Sequence, residues 1–109
     1  MSTRLPGAKY GRIFDRGRSV KGRLLVAWRY SATDVDQMAG VVVSKKSFRH
    51  AVDRNRAKRL VREAFRLIVK DGDAPESTEW VFIGRAALRG RNCAEVKDEM
   101  LRLMRRGCD

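Results

Sequence analysis

The chain has 109 residues, with 25 Lys and Arg against 13 Asp and Glu, which gives a formal net charge of +12. This length fits a single domain with its own hydrophobic core, and we expect one domain over residues 1–109. A small protein with this much positive charge most often binds the phosphate backbone of a nucleic acid. A membrane surface is the alternative anionic partner, but it favours a helix with Trp or Phe on a strongly apolar face.

Other classes of protein fit the sequence poorly. No apolar run approaches the roughly 18 residues that a membrane span requires, and the first residues lack the apolar segment of a signal peptide. We therefore expect a cytoplasmic protein without membrane contact. Cys93 and Cys108 are too few for a disulfide framework and have no further ligand at metal-binding spacing.

The first predicted element is a short helix over Tyr10–Gly17. Its apolar side chains follow the i, i+3, i+4 spacing of one helix face, and a glycine ends it. Tyr10 and Phe14 can both be explained as core residues. They can equally line a groove in which nucleobases stack on aromatic rings, and the spacing leaves both roles open.

Three predicted strands follow. The first two cover Val20–Lys21 and Leu24–Tyr30, and the third covers Met38–Ser44. We expect the polar residues 31–37 to form a hairpin loop between the second and third strands. Trp28 either anchors the core or provides a second stacking platform, and the alternation of the strand does not decide between these roles.

The stretch Ser44–Arg66 concentrates the positive charge of the chain, with nine Lys or Arg and two acids in 23 residues. We predict a helix here, capped near Asp53 and running to about Lys70. Its apolar residues share one arc of a helical wheel, and the opposite side carries Asn55, Arg59, Arg62 and Arg66. An exposed helix normally mixes charges of both signs, so a face of like charges indicates a docking surface for a polyanion.

The remaining chain supplies a turn, a strand and a helix. We expect Asp71–Glu79, which has four acids and no base, to form a solubilising turn that faces away from a polyanion. Trp80–Gly84 is typical of a central strand covered on both faces. The last helix begins at Asn92, where Glu95 completes a capping box. The predicted order is α-β-β-β-α-β-α, a small α+β sandwich of helices against one sheet.

The residue types that usually form catalytic sites are not grouped in a way that predicts an active site in this protein. His50 is the only histidine, the acids are scattered or lie in the acidic turn, and no GxxxxGK[ST] phosphate loop occurs. If the chain takes part in catalysis, we expect another molecule to carry the reacting groups.

The basic stretch resembles a known signature. Val42-Val43-Ser44-Lys45-Lys46, followed by Arg54-Asn55-Arg56-x-Lys58-Arg59-Leu60-x-Arg62-x-x-Phe65, is similar to the RNR motif of the protein subunit of bacterial ribonuclease P. The resemblance extends to most of the chain. The early aromatic pair, the strand with Trp28, the strand that ends in Ile83-Gly84-Arg85 and the capped last helix occur in the family's order and spacing.

The resemblance implies an α-β sandwich with a left-handed β-α-β crossover, against the usual right-handed rule. It implies a monomer that binds one large catalytic RNA, which cleaves precursor tRNA with magnesium while the protein alone binds no cofactor. The residues that would contact the catalytic RNA are Lys45, Lys46, Arg54, Asn55, Arg56, Lys58, Arg59 and Arg62. The residues that would line a cleft for the single-stranded 5′ leader are Tyr10, Phe14 and Trp28.

Three features depart from the family's pattern. The arm over residues 1–9 is less basic than in many members, Tyr10 stands where Phe is common, and Ala87 stands where a proline is common. The predicted function is an accessory subunit of a ribonucleoprotein endonuclease that removes the 5′ leader of precursor tRNA. The alternative is a structural, ribosomal-type RNA-binding protein. A protein nuclease is a third reading, but it lacks the carboxylates that such chemistry needs.

Overall fold

The computed structural model of the protein describes residues 5–31 and 37–107. Single turns of 3-10 helix lie at Gly7–Lys9 and Ala86–Leu88. The helices and strands of the described residues are α1 (Tyr10–Arg16), β1 (Arg18–Lys21), β2 (Leu25–Ser31), β3 (Met38–Val42), α2 (Ala51–Lys70), β4 (Thr78–Gly84) and α3 (Cys93–Gly107). The predicted α+β class and the order α-β-β-β-α-β-α are confirmed.

The four strands form one mixed sheet in the order β1-β2-β4-β3. β2 is antiparallel to both β1 and β4, whereas β3 is parallel to β4 and is joined to it through α2. This pair and its helix form the β-α-β unit that the family resemblance implies. The prediction of a hairpin loop over residues 31–37 was wrong, because β4 lies between the two strands that this segment joins. Residues 32–36 of the segment lie outside the described residues.

The central position of β4 follows from its composition. All but one of its seven residues are buried, which an edge strand could not achieve. On one face of the sheet, Phe82 lies between Trp80 and the α2 residue Phe65, with ring centroids 5.9 and 6.1 Å away. On this face α2 and α3 pack against the sheet and against each other, and the main hydrophobic core lies between these layers.

The opposite face of the sheet is covered by α1 over part of its area. Ile13 of α1 and Leu5 pack there against Val81, and all three are buried. Gly17 ends α1 in an extended conformation with φ −83°, and not in the left-handed conformation that often ends a helix. Glycine is needed because a Cβ atom would collide with the carbonyl oxygens of Ile13 and Arg29, so it allows α1 to turn directly into β1.

The N-terminal caps of α3 and α2 were both predicted from the sequence, and the structure confirms only the first. The capping box of α3 is confirmed, since the Glu95 amide donates to Asn92 Oδ1 at 2.9 Å and the Asn92 amide donates to Glu95 Oε1 at 3.3 Å. By contrast α2 begins at Ala51 after His50, whose side chain forms no cap, and Asp53 lies within its first turn. The predicted cap was Asp53 or a nearby residue, and the structure places it at His50; Asp53 itself was the wrong choice, because no side-chain hydrogen bond marks the true start.

A buried carboxylate fixes the turn between β1 and β2. Glu99 of α3 accepts hydrogen bonds from the backbone amides of Arg23, Leu24 and Leu25, at 2.8 to 3.1 Å. Arg85 holds the same turn from the other side, with Nη1 donating to the carbonyl oxygen of Gly22 at 2.8 Å. The three amides are satisfied by one side chain, so the turn is attached rigidly to α3.

Candidate nucleic-acid interface

The outer face of α2 carries cations that no acid of the described residues neutralises. Ion pairs within residues 5–31 and 37–107 involve five cations, namely Lys9, Arg12, Arg66, Arg91 and Lys97. The cations of α2 outside these pairs are Arg54, Arg56, Lys58, Arg59, Arg62 and, at its end, Lys70. We call Asn55, Arg59 and Arg62 the α2 stripe, because they share the side of the helix opposite its buried residues. Parallel guanidinium groups without counter-ions repel one another, so the stripe favours a bound polyanion.

Arg66 continues the α2 stripe along the helix but differs in its charge balance. Its Nε donates to Glu63 Oε2 at 3.0 Å, one turn earlier. This hydrogen bond lowers the pKa of the Glu63 carboxyl below its usual value of 4.5. Arg66 is therefore already paired, and it adds less free positive charge to the surface than Arg59 or Arg62.

The structure gives Arg54 a structural contact that sequence reasoning missed. Its Nη1 donates to the carbonyl oxygens of Phe48 and Arg49, at 2.9 and 3.2 Å. These bonds tie the turn between β3 and α2 to the helix. Lys45 and Lys46 lie exposed in that turn, so Arg54 holds in place the segment that presents them.

Arg56 and Lys58 lie on the two flanks of α2 and outside the stripe. Arg56 borders a cavity together with the turn that precedes α3, whereas Lys58 is half-buried on the other flank. The eight residues predicted to contact RNA therefore differ in their position and in the contacts they make. They divide into the α2 stripe, the exposed turn with Lys45 and Lys46, the anchoring Arg54 and the two flanking cations.

The three predicted cleft residues meet on the α1 side of the sheet. The rings of Phe14 and Trp28 pack edge to face with centroids 5.4 Å apart, and 38% of the Phe14 surface is exposed. Tyr10 and Trp28 are half-buried in the small apolar cluster beneath α1. The Tyr10 hydroxyl lies where a Cβ atom of Gly40 would be, so glycine at that position makes room for the ring. These aromatic residues are thus both packing groups and surface groups.

An ion-pair network beside the aromatic residues was missed by sequence reasoning. Glu79 was predicted in the acidic turn, but it lies in β4 and is fully buried on the α1 side of the sheet. Its carboxylate accepts from Lys9 Nζ at 3.0 Å and from Arg12 Nη2 at 2.6 Å. The Arg12 guanidinium also lies 4.6 Å from the centre of the Tyr30 ring. The available signal was the alternation Glu79, Val81, Ile83, which places the acid on one face of the strand.

The aromatic residues and the α2 stripe lie on different sides of the sheet. Trp28 pairs in register with Val81, whose side chain faces α1, whereas α2 packs on the face of Phe82. The molecule therefore has two separate surfaces, one cationic and one aromatic with nearby cations. No helix among the described residues is long and apolar enough to cross a membrane. Within residues 5–31 and 37–107, no group of three or more His, Cys, Asp or Glu side chains is placed to bind a metal ion.

These features define a small, strongly basic α+β protein with a cationic helix and a partly exposed aromatic sheet face. The family model of ribonuclease P matches residues 5–107. The chain therefore belongs to the family of ribonuclease P protein components.

Individual relatives agree with this assignment along nearly the whole chain. The ribonuclease P protein component of Pelotomaculum thermopropionicum is 38% identical over 97 residues, which span 89% of this chain and 84% of that protein. That of Clostridium kluyveri is 33% identical over 99 residues, with 91% and 88% covered. The solved RNase P protein of Thermotoga maritima superimposes with a TM-score of 0.80 at 29% identity, covering 96% of this chain and 97% of that one.

Proposed function

We propose that the chain is the protein subunit of a ribonucleoprotein that removes the 5′ leader from precursor tRNA, with a catalytic RNA as its direct partner. The observation that carries the proposal is the separation of two surfaces. An unneutralised cationic stripe lies on α2, and a partly exposed aromatic cluster lies on the other side of the sheet. The cationic stripe matches a structured RNA, and the aromatic cluster matches a single-stranded RNA.

The α2 stripe suits the phosphate backbone of the catalytic RNA. Guanidinium groups donate two parallel hydrogen bonds to a phosphate, and Arg59 and Arg62 present them one turn apart along the helix. Lys45 and Lys46 add charge from the adjoining turn, where Arg54 holds the backbone. These contacts bind without reading sequence, as a subunit that recognises a folded RNA by its backbone requires.

The aromatic face suits the single-stranded 5′ leader. The exposed edge of Phe14 and the half-buried Trp28 offer stacking surfaces that accept any base. Lys9 and Arg12 lie beside them, each about one-third exposed, and Glu79 holds both in place. Cations next to stacking rings are the usual combination for a strand that lacks a fixed sequence.

The reacting groups are assigned to the RNA. The described residues offer no cluster of carboxylates that could hold magnesium. Magnesium, when bound by the RNA, supplies the Lewis acid and the activated water of phosphodiester hydrolysis. The protein binds and orients the two RNAs, and we expect one protein per catalytic RNA in the bacterial cytoplasm, where precursor tRNA is made.

The test is a cleavage assay with purified protein, the catalytic RNA and precursor tRNA at low magnesium concentration. Charge repulsion between the two RNAs is strongest under this condition, so the protein should raise the cleavage rate well above that of the RNA alone. The protein without RNA should leave the precursor intact. A rate equal to that of the RNA alone would refute the proposed function.

A further inference from the structure

A cavity of about 160 Å³ opens between the start of α2 and the turn before α3. Its floor is apolar and includes Phe48, Leu60 and Leu88. At about 30 Å³ per water molecule, it holds roughly five waters. It is smaller than the roughly 300–1,000 Å³ of sites that enclose a complete drug-sized ligand, so it fits one ring system.

The floor of the cavity is preformed. Gly84 has no side chain, and a Cβ atom there would approach Leu88 Cδ2 to 3.0 Å, so this glycine lets Leu88 pack at the end of β4. The Leu88 amide donates to the Arg85 carbonyl oxygen at 2.9 Å. The backbone of Phe48 is held by the bond from Arg54. A ligand would therefore meet a surface that needs little rearrangement.

The rim of the cavity carries three guanidinium groups, from Arg56, Arg89 and Arg91. Arg91 is fixed, because Nε donates to the Ala87 carbonyl oxygen at 3.1 Å and Nη1 lies 3.1 Å from a Glu95 carboxylate oxygen. Arg56 and Arg89 are exposed and form no ion pair or side-chain hydrogen bond with any other residue of the described chain. Two unneutralised cations thus flank an apolar floor.

A ligand that uses both parts of this site needs an apolar ring and an anionic group. A free phosphate would leave the apolar floor without a partner, and a hydrocarbon would leave the guanidinium groups without one. A nucleotide satisfies both, because its base has apolar faces and its phosphate accepts bidentate hydrogen bonds from arginine. Asp53 also lines the cavity, and its carboxylate can accept a hydrogen bond from an N–H of the base.

We propose that this cavity binds one unpaired nucleotide of an RNA, with the base on the floor of Phe48, Leu60 and Leu88 and the phosphate between Arg56 and Arg89. The identification of that RNA as the catalytic RNA or the precursor tRNA rests on the proposed function. The preference of the cavity for a nucleotide does not, because it follows from the floor and the rim alone.

The test is a methyl NMR titration of the full chain with labelled leucine. AMP, CMP, GMP and UMP are added separately, and inorganic phosphate is the matched control ligand. A base over the floor should shift the Leu60 and Leu88 methyl signals upfield through its ring current, whereas phosphate should not. Equal shifts with phosphate would reduce the site to a simple anion site, and unshifted Leu60 and Leu88 signals would refute the proposal.

Arg89→Ala tests the rim separately from the α2 stripe. The side chain is exposed in a turn, so its removal should leave the fold intact, and the same spectra report this. Loss of one charge-assisted hydrogen bond should weaken nucleotide binding about tenfold. Arg105→Ala removes one exposed arginine from the last turn of α3 and should leave the affinity unchanged. Equal weakening by both substitutions would mean that net charge alone drives binding, and an unchanged affinity of the Arg89 variant would also refute the proposal.

Two further titrations, one with the catalytic RNA and one with a single-stranded leader oligonucleotide, identify the source of the nucleotide. The RNA that shifts the Leu60 and Leu88 methyl signals is the one that occupies the cavity. If the protein stimulates cleavage but neither RNA shifts Leu60 and Leu88, the cavity proposal fails and the proposed function stands. If nucleotides shift these signals but cleavage is not stimulated, the proposed function fails and the cavity stands.

Discussion

Replacing Arg59 and Arg62 with alanine removes the two guanidinium groups of the α2 stripe. Neither side chain forms an ion pair among the described residues, so each is free to neutralise one phosphate. Each neutralised phosphate contributes about 0.9 to the slope of log K against log salt for a duplex, and about 0.7 for a single strand. Loss of two contacts should therefore reduce the slope by about 1.4 to 1.8.

The same slopes give the expected loss of affinity. Taking 1 M salt as the reference at which the electrostatic term vanishes, the double variant should bind the catalytic RNA about 25- to 60-fold more weakly at 0.1 M salt. The difference should shrink steadily as salt is raised. Fluorescence anisotropy at four or more salt concentrations measures both quantities. Arg62 is half-buried, so a thermal melt of each variant must accompany the titration to show that the fold is retained.

A charge-matched control separates the stripe from net charge. Arg105→Ala with Arg106→Ala also removes two exposed arginines, but from the last turn of α3. This variant should keep a slope close to that of the parent protein. If both double variants lower the slope equally, or if the Arg59 and Arg62 variant leaves it unchanged, the stripe is not the contact surface.

Three further changes test other parts of the structure. Glu79→Gln should lower the free energy of unfolding, measured by urea denaturation, by about 1–2 kcal/mol, because it weakens the charge-assisted hydrogen bonds from Lys9 and Arg12. The loss stays this small because both cations are about one-third exposed and can be solvated by water instead. An unchanged denaturation midpoint would contradict this prediction. Phe14→Ala should weaken binding of precursor tRNA several-fold more than that of mature tRNA, and equal losses would assign Phe14 to packing alone. The hydrogen bond from Lys97 lowers the pKa of Asp71 below 3.8, so its stabilisation is present above that pH and is lost as pH falls through the lowered pKa. The melting temperature should thus fall on acidification below about pH 4, and less so in Lys97→Met; identical pH profiles would contradict the pairing.

Local patterns in the sequence predicted most of the elements. The arc of apolar residues on α2 is confirmed by the burial of Ala57, Val61 and Phe65, because a helix of this length has one apolar face to hide. The capping box of α3 is confirmed because its two hydrogen bonds lie within four residues of the chain. The apolar run of β4 is confirmed as a strand with both faces covered. Each of these signals is complete within one short segment.

The errors concern contacts between segments that are distant in the chain. The loop after β2 was wrongly predicted as a hairpin, because strand order depends on where β4 inserts. Glu79 was assigned to the acidic turn by composition, but it lies in β4 and its carboxylate binds two cations that are 67 and 70 residues away in the chain. The division of the basic residues into the α2 stripe, an anchor at Arg54 and a rim at Arg56 also required the folded backbone.

The sequence by itself determined the charge, the element order, the amphipathic basic helix and the family signature, since these are properties of composition and of periodic spacing along the chain. Tertiary structure alone decided which cations remain unpaired, which aromatic rings stay exposed and where a cavity forms. Those properties depend on which distant segments pack together. The local spacing of residues in one segment does not indicate which distant segment will pair with it or form a pocket beside it.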